Sequence, residues 1–101
     1  MEDISTQEFR QRLQAGEKLH ILDVREPWEF EEDNLNGLLI PLAELPTRLA
    51  EIEQWKDEEI IVHCRTGGRS GKAKDFLKTK GFTNVRNLLG GITKYRENEQ
   101  S

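Results

Sequence analysis

The sequence predicts a single α/β domain: a parallel sheet covered by helices on both faces. Short apolar runs alternate with segments of helical spacing along the chain. The runs are apolar at successive positions, as in Ile60-Ile61-Val62, so both faces of a strand are to be covered. A chain of 101 residues is enough for one modest core and no second domain. The domain is therefore taken as residues 1–101, with its core over about 4–97.

The first element is a helix over about 5–15. Ser5-Thr6-Gln7-Glu8 fits a capping box, with Ser5 as N-cap and Glu8 at the third helical position. Ile4 and Phe9 stand at the spacing of a hydrophobic staple, and Gly16 ends the turn. A strand follows over 19–24. Arg25-Glu26-Pro27 closes it, and Pro27 suits the first turn of a short helix. Leu38-Leu39-Ile40 is the second strand, closed by Pro41. Pro46 then opens a helix whose apolar stripe is Leu45, Leu49 and Ile52. The third strand is 60–63. Residues 68–80 pass from a loop into a helix with Ala73, Phe76 and Leu77 on one face, stopped by Gly81. A last strand over 85–88 leads through Gly90-Gly91 into a final helix from about Ile92. In such sheets ligands sit at the carboxyl ends of the strands, here just after Val24, Ile40, His63 and Leu88.

Composition narrows the function classes. Fifteen Lys and Arg against nineteen Asp and Glu give a net charge of −4, which argues against a general nucleic-acid binder. The apolar runs are too short to span a membrane, and Met1-Glu2-Asp3 does not begin a signal peptide. The single cysteine, Cys64, excludes an internal disulfide and suits a reducing, cytoplasmic setting.

That cysteine opens the segment Cys64-Arg65-Thr66-Gly67-Gly68-Arg69-Ser70. A glycine-rich turn lets successive backbone N–H groups face inward as an anion nest. The helix that starts here adds its free N–H groups and dipole, and two arginines add full charge. All three favour thiolate over thiol and should bring Cys64 below the ordinary value of about 8.5. A thiolate so placed is a nucleophile; the competing reading is an inert buried cysteine. Ser70 can cap the helix, its blander role, or bond the sulfur. His63 neighbours Cys64 but points to the opposite face of the strand, so it reads as a packed histidine rather than a base. His20 has no acidic or cysteine partner at motif spacing, and Trp28, Phe30 and Trp55 read as core or rim.

With these residues the chain resembles the rhodanese-like domains. The marks, in order, are Ile21-Leu22-Asp23-Val24-Arg25-Glu26, Trp28-Glu29-Phe30, Ile40-Pro41-Leu42, Val62 to Ser70 and Leu89-Gly90-Gly91-Ile92. The resemblance runs from Ile4 to about Tyr95. It implies a five-stranded, mostly parallel sheet and transfer of sulfane sulfur through a cysteine persulfide on Cys64. It also implies a small anionic donor such as thiosulfate, and cyanide, a thiol or a protein as acceptor. Arg65, Thr66, Gly67, Gly68, Arg69 and Ser70 would hold the donor and persulfide, with Asp23 and Arg25 supporting the loop. For that pair the alternative is a local cap or surface ion pair. No metal or organic cofactor is called for, and neither nucleic acid nor membrane is expected as a partner. Two departures touch the rim: residues 33–37 run a residue shorter than the family's usual stretch, and Tyr95 stands where tryptophan is common.

Two other functions share the scaffold. One is a non-catalytic regulatory or docking module, against which the intact cysteine loop counts. The other is a phosphatase or arsenate reductase. Phosphatase loops place five residues between Cys and Arg, whereas four separate Cys64 from Arg69. Residues 64–80 carry six Lys and Arg against one Asp, a positive segment able to attract an anionic donor. A plain solvated helix face explains Lys74 and Lys78 equally well.

Overall fold

Ser5 caps the first helix as its spacing predicts. In the computed structural model, which describes residues 2–99, its side chain accepts the Glu8 N–H at 3.0 Å and α1 runs Thr6–Gln14. Ile4 and Phe9 are both fully buried in one cluster. The Glu8 carboxylate pairs with Arg86 at 3.1 Å, so it serves a long-range ion pair.

Among the described residues, four strands follow the predicted order: β1 His20–Asp23, β2 Leu38–Leu39, β3 Glu59–His63 and β4 Asn84–Asn87. They form one parallel sheet in the order β2-β1-β3-β4. The expected fifth strand is reduced to a single bridge, Ile4 beside Leu88. The Ile4 N–H donates to the Asn87 carbonyl at 3.0 Å, and the Ile4 carbonyl accepts the Leu89 N–H at 2.9 Å. Helix capping at Ser5 leaves no room for a longer strand. On the other side, Asp3 accepts the Asn87 N–H through its side chain at 3.0 Å, in place of a backbone ladder bond.

The apolar runs divide their side chains between two cores, as period-two geometry requires. Leu22, Ile60 and Val62 pack with Leu45, Ile52, Ala73 and Leu77. Ile21 and Ile61 pack on the opposite face with Phe9, Ile92 and Tyr95. The first core lies under α3, Gly68–Thr79, and the second under α1 and α4, Gly91–Asn98. Phe9 and Tyr95 meet edge to face, with ring centroids 5.5 Å apart.

One predicted helix takes another form. The segment after Pro41 forms two 3-10 helices, Leu42–Thr47 and Leu49–Trp55, and Pro46 lies inside the first instead of opening a helix. Its ring excludes the α-helical bond to residue 42 and disfavours helical backbone at Leu45. Pro27 does open a short helix, α2, Pro27–Glu32, at N1. The turn between β3 and α3, the end of β4, and α2 meet at the carboxyl edge of the sheet, which builds the site.

Candidate active site

Cys64 is the first residue beyond β3, and its sulfur is held from the side of α3. The Gly67 N–H lies 3.1 Å from Sγ and the Ser70 hydroxyl 3.3 Å. Gly67 is the N-cap of α3 at φ +116°, a conformation that turns the chain and suits glycine. From the far side, the first turn of α4 holds the same loop. Ile92 N–H donates to the Cys64 carbonyl and Thr93 N–H to the Arg65 carbonyl, each at 3.1 Å. With these carbonyls drawn toward α4, the loop's N–H groups remain for the sulfur. Gly91 makes the approach possible, since a Cβ there would stand 2.4 Å from the Arg65 oxygen. Gly68, by contrast, meets no neighbour that would exclude a side chain.

Burial pushes the Cys64 thiol up. The Ser70 hydroxyl and the N–H groups of Ser70, Gly67 and Thr66 outweigh it, leaving the thiol below its ordinary value. The α3 dipole acts in the same direction. Ser70 is thus no cap. It stands in the first turn of α3, and its hydroxyl faces the sulfur, the less expected of its two roles.

The two arginines of the loop share one carboxylate. The Arg69 fork grips Glu29, at 2.7 and 2.9 Å, and the Cys64 sulfur adds to the pull on its charge. Arg65 reaches the same carboxylate at 3.2 Å and lies over the Trp28 ring at 5.7 Å. Glu29 is a member of the site that the sequence expectation lacks. Its trace in the sequence is the acidic run 26–33, opposite in charge to the loop that it binds. Arg69 holds this buried carboxyl down at about 2, against the cost of burial.

A carboxyl lowered on folding contributes stability above its unfolded value of 4.5 and loses it as pH falls toward 2. Glu29→Gln should therefore melt lower than wild type at pH 7, and the two melting temperatures should converge between pH 4.5 and 2. Parallel curves in thermal melts across that range would remove this pair from the stability of the loop.

Asp23 and Arg25 form a buried pair, with Arg25 Nε and Nη2 at 3.0 and 2.8 Å from the carboxylate. Arg25 also donates to the Asp33 carbonyl at 2.7 Å, at the C-terminal end of α2. Arg25 thus caps α2, the helix that carries Glu29. His63 is buried, and burial lowers its pKa, so it stays neutral. Its Nδ1 is 3.3 Å from the Cys64 carbonyl and its Nε2 is 3.6 Å from Asp23. His20, at the opposite end of its strand from the site, pairs with Glu58 at 2.7 Å and stacks on Trp55. Trp28 is 57% exposed, a rim residue rather than a core one. Beside it opens a cleft of about 330 Å³ lined by Arg25, Glu29, Arg65, Ile92, Thr93 and Arg96, among others.

The sequence matches the rhodanese-like domain family over residues 5–98. It is 34% identical over 91 residues to a protein of Allochromatium vinosum named sulfurtransferase, covering 89% of this chain and 83% of that one. A Bacillus subtilis protein whose name describes a sulfur carrier is 37% identical over 91 residues. That alignment covers 89% of this chain and 48% of the relative, so the chain spans about half of it. A solved rhodanese-related protein of Thermoplasma volcanium superposes with a TM-score of 0.82 at 30% identity, covering 97% of this chain and 93% of that one.

Proposed function

The chain belongs to the rhodanese-like domain family, and from that premise we propose that it is a sulfurtransferase working through a persulfide on Cys64. The Cys64 thiolate attacks the outer sulfur of thiosulfate. A sulfur–sulfur bond to Cys64 forms, the bond to the sulfonate breaks with its electron pair, and sulfite leaves. Cyanide or a thiolate, from a small molecule or a protein, then attacks the outer sulfur of the persulfide and restores the Cys64 thiolate. The chain contains no second cysteine, so the acceptor comes from outside. A free thiol used this way suits a reducing compartment, and we place the reaction in the cytoplasm.

The observation that carries this reading is the donor set around one sulfur: the Gly67 N–H and the Ser70 hydroxyl, joined electrostatically by the Thr66 and Ser70 N–H groups. It supplies hydrogen bonds to a charged sulfur in a preformed loop, the kind of stabilisation a thiolate or persulfide needs. Six positions after Cys64 stands Ser70, and Arg69 is held by Glu29. That arrangement favours sulfur over a phosphoryl group, which requires a guanidinium closing the loop. Arg65, half exposed and the looser of the two Glu29 partners, is assigned the attraction of the anionic donor.

Thiocyanate formation from thiosulfate and cyanide tests the proposal. Initial rates should give the parallel double-reciprocal lines of a two-step exchange, and absence of turnover would contradict thiosulfate as donor. At donor below saturation, the rate should fall with added inert salt, because screening shortens the reach of exposed charge to about 8–10 Å at physiological ionic strength. A flat response would remove electrostatic steering by Arg65.

A further inference from the structure

The Ser70 hydroxyl carries one proton and has three acceptors in reach. Cys64 Sγ lies at 3.3 Å, the Gly67 carbonyl at 3.2 Å and Asn87 Oδ1 at 2.6 Å. A hydroxyl donates a single hydrogen bond, so these three compete. The shortest contact is to Asn87, a residue at the end of β4 that no motif in the sequence marks.

Asn87 is built to present that oxygen. Its Nδ2 donates to the Gly67 carbonyl at 3.2 Å, which fixes the amide with Oδ1 turned toward Ser70. Its backbone is tied on both sides: its N–H to Asp3 at 3.0 Å and its carbonyl to the Ile4 N–H at 3.0 Å. Ser70 is fully buried and Asn87 is 9% exposed, so water has little access to substitute for either partner. The edge of the sheet that is only one residue wide at Ile4 therefore bears on the sulfur through two side chains.

We propose that Asn87 is a positioning residue for Cys64 that acts through Ser70, its amide oxygen competing with Sγ for the one hydroxyl proton. With Cys64 as a neutral thiol, the Ser70 O–H points to Asn87, and the Ser70 oxygen is left to accept the S–H. With Cys64 as thiolate, the negative sulfur is the stronger acceptor and the O–H rotates to it. Only the hydroxyl rotor turns; no covalent bond breaks in that rotation. Once the sulfur is charged, the Ser70 donor is present at full strength. Before that, the Asn87 contact opposes ionisation. Asn87 thus sets how readily the nucleophile forms, whatever acceptor or donor the thiolate later meets.

The test needs no sulfur donor, so it stands apart from the sulfurtransferase assignment. The rate of Cys64 alkylation by iodoacetamide, followed against pH, reports the ionisation midpoint in wild type, Asn87→Ala, Ser70→Ala and the double variant. Ser70→Ala should raise the midpoint by removing a donor. Asn87→Ala should lower it, speeding alkylation on the acid side about two- to tenfold, the worth of one hydrogen bond. In the Ser70→Ala background the Asn87 substitution should lose that effect, because the shared proton is gone. A midpoint unchanged or raised by Asn87→Ala overturns the proposal. So does a downward shift that persists undiminished without Ser70, which would place the effect in the Gly67 carbonyl contact instead. Asn87→Ser, whose hydroxyl stops short of the Oδ1 position, provides the same comparison if the alanine variant does not fold.

Discussion

Cys64→Ser abolishes sulfur transfer while the protein still melts cooperatively near the wild-type temperature. Serine keeps the size and the hydrogen-bonding partners of the side chain, so the Gly67 N–H and Ser70 hydroxyl retain an acceptor. It cannot supply a thiolate, and no other cysteine exists in the chain to replace it. Losing the nucleophile of a two-step exchange costs about 10³-fold or more in turnover. Thiocyanate formation measured beside thermal melts checks both halves. Substantial turnover by the folded variant would end the persulfide mechanism.

Gly91→Ala has the second-largest expected effect, and it reaches the sulfur without touching it. The residue sits at φ +62°, and an added Cβ would meet the Arg65 carbonyl oxygen at 2.4 Å and the Cys64 oxygen at 2.7 Å. Those neighbours are backbone atoms held by Ile92 and Thr93, so they yield only if the loop moves away from α4. A shift of about 1 Å in a catalytic loop costs roughly 10²-fold in kcat/KM. The variant should also melt lower, since left-handed backbone costs a residue with a side chain about 1–2 kcal/mol. Gly68→Ala is the internal control: nothing stands within 4 Å of the new Cβ, and its melting temperature should stay near that of wild type. Wild-type activity in Gly91→Ala would show that the α4 contact does not position the loop.

Much of this architecture is written locally and can be read there. The Ser5 cap, Pro27 at a helix start and the runs around Ile21 and Ile61 depend on neighbours within a few residues. The cysteine loop is legible for the same reason, because its glycines and the helix start adjoin Cys64. What the sequence hides depends on distant partners. Glu29 meets Arg69 across forty positions, and no period or spacing announces an ion pair of that kind. That contact ties Arg69 to α2, a constraint that its place in the loop does not reveal. Asn87 reaches Ser70 only because β4 lies beside β3. The 3-10 segment and the one-residue edge strand are hidden for a different reason. Pro46 sits among residues of ordinary helical spacing, and Ile4 also fits a hydrophobic staple, so each place carries two patterns at once.

In the proposed mechanism, sulfur resides covalently on Cys64 between the two half-reactions. Intact-protein mass spectrometry after brief treatment with thiosulfate tests it directly. The mass should rise by one sulfur atom, return to the starting value on adding cyanide, and stay unchanged in Cys64→Ser. An unmodified mass in protein that turns over thiosulfate, or a sulfur adduct that persists in Cys64→Ser, would contradict it.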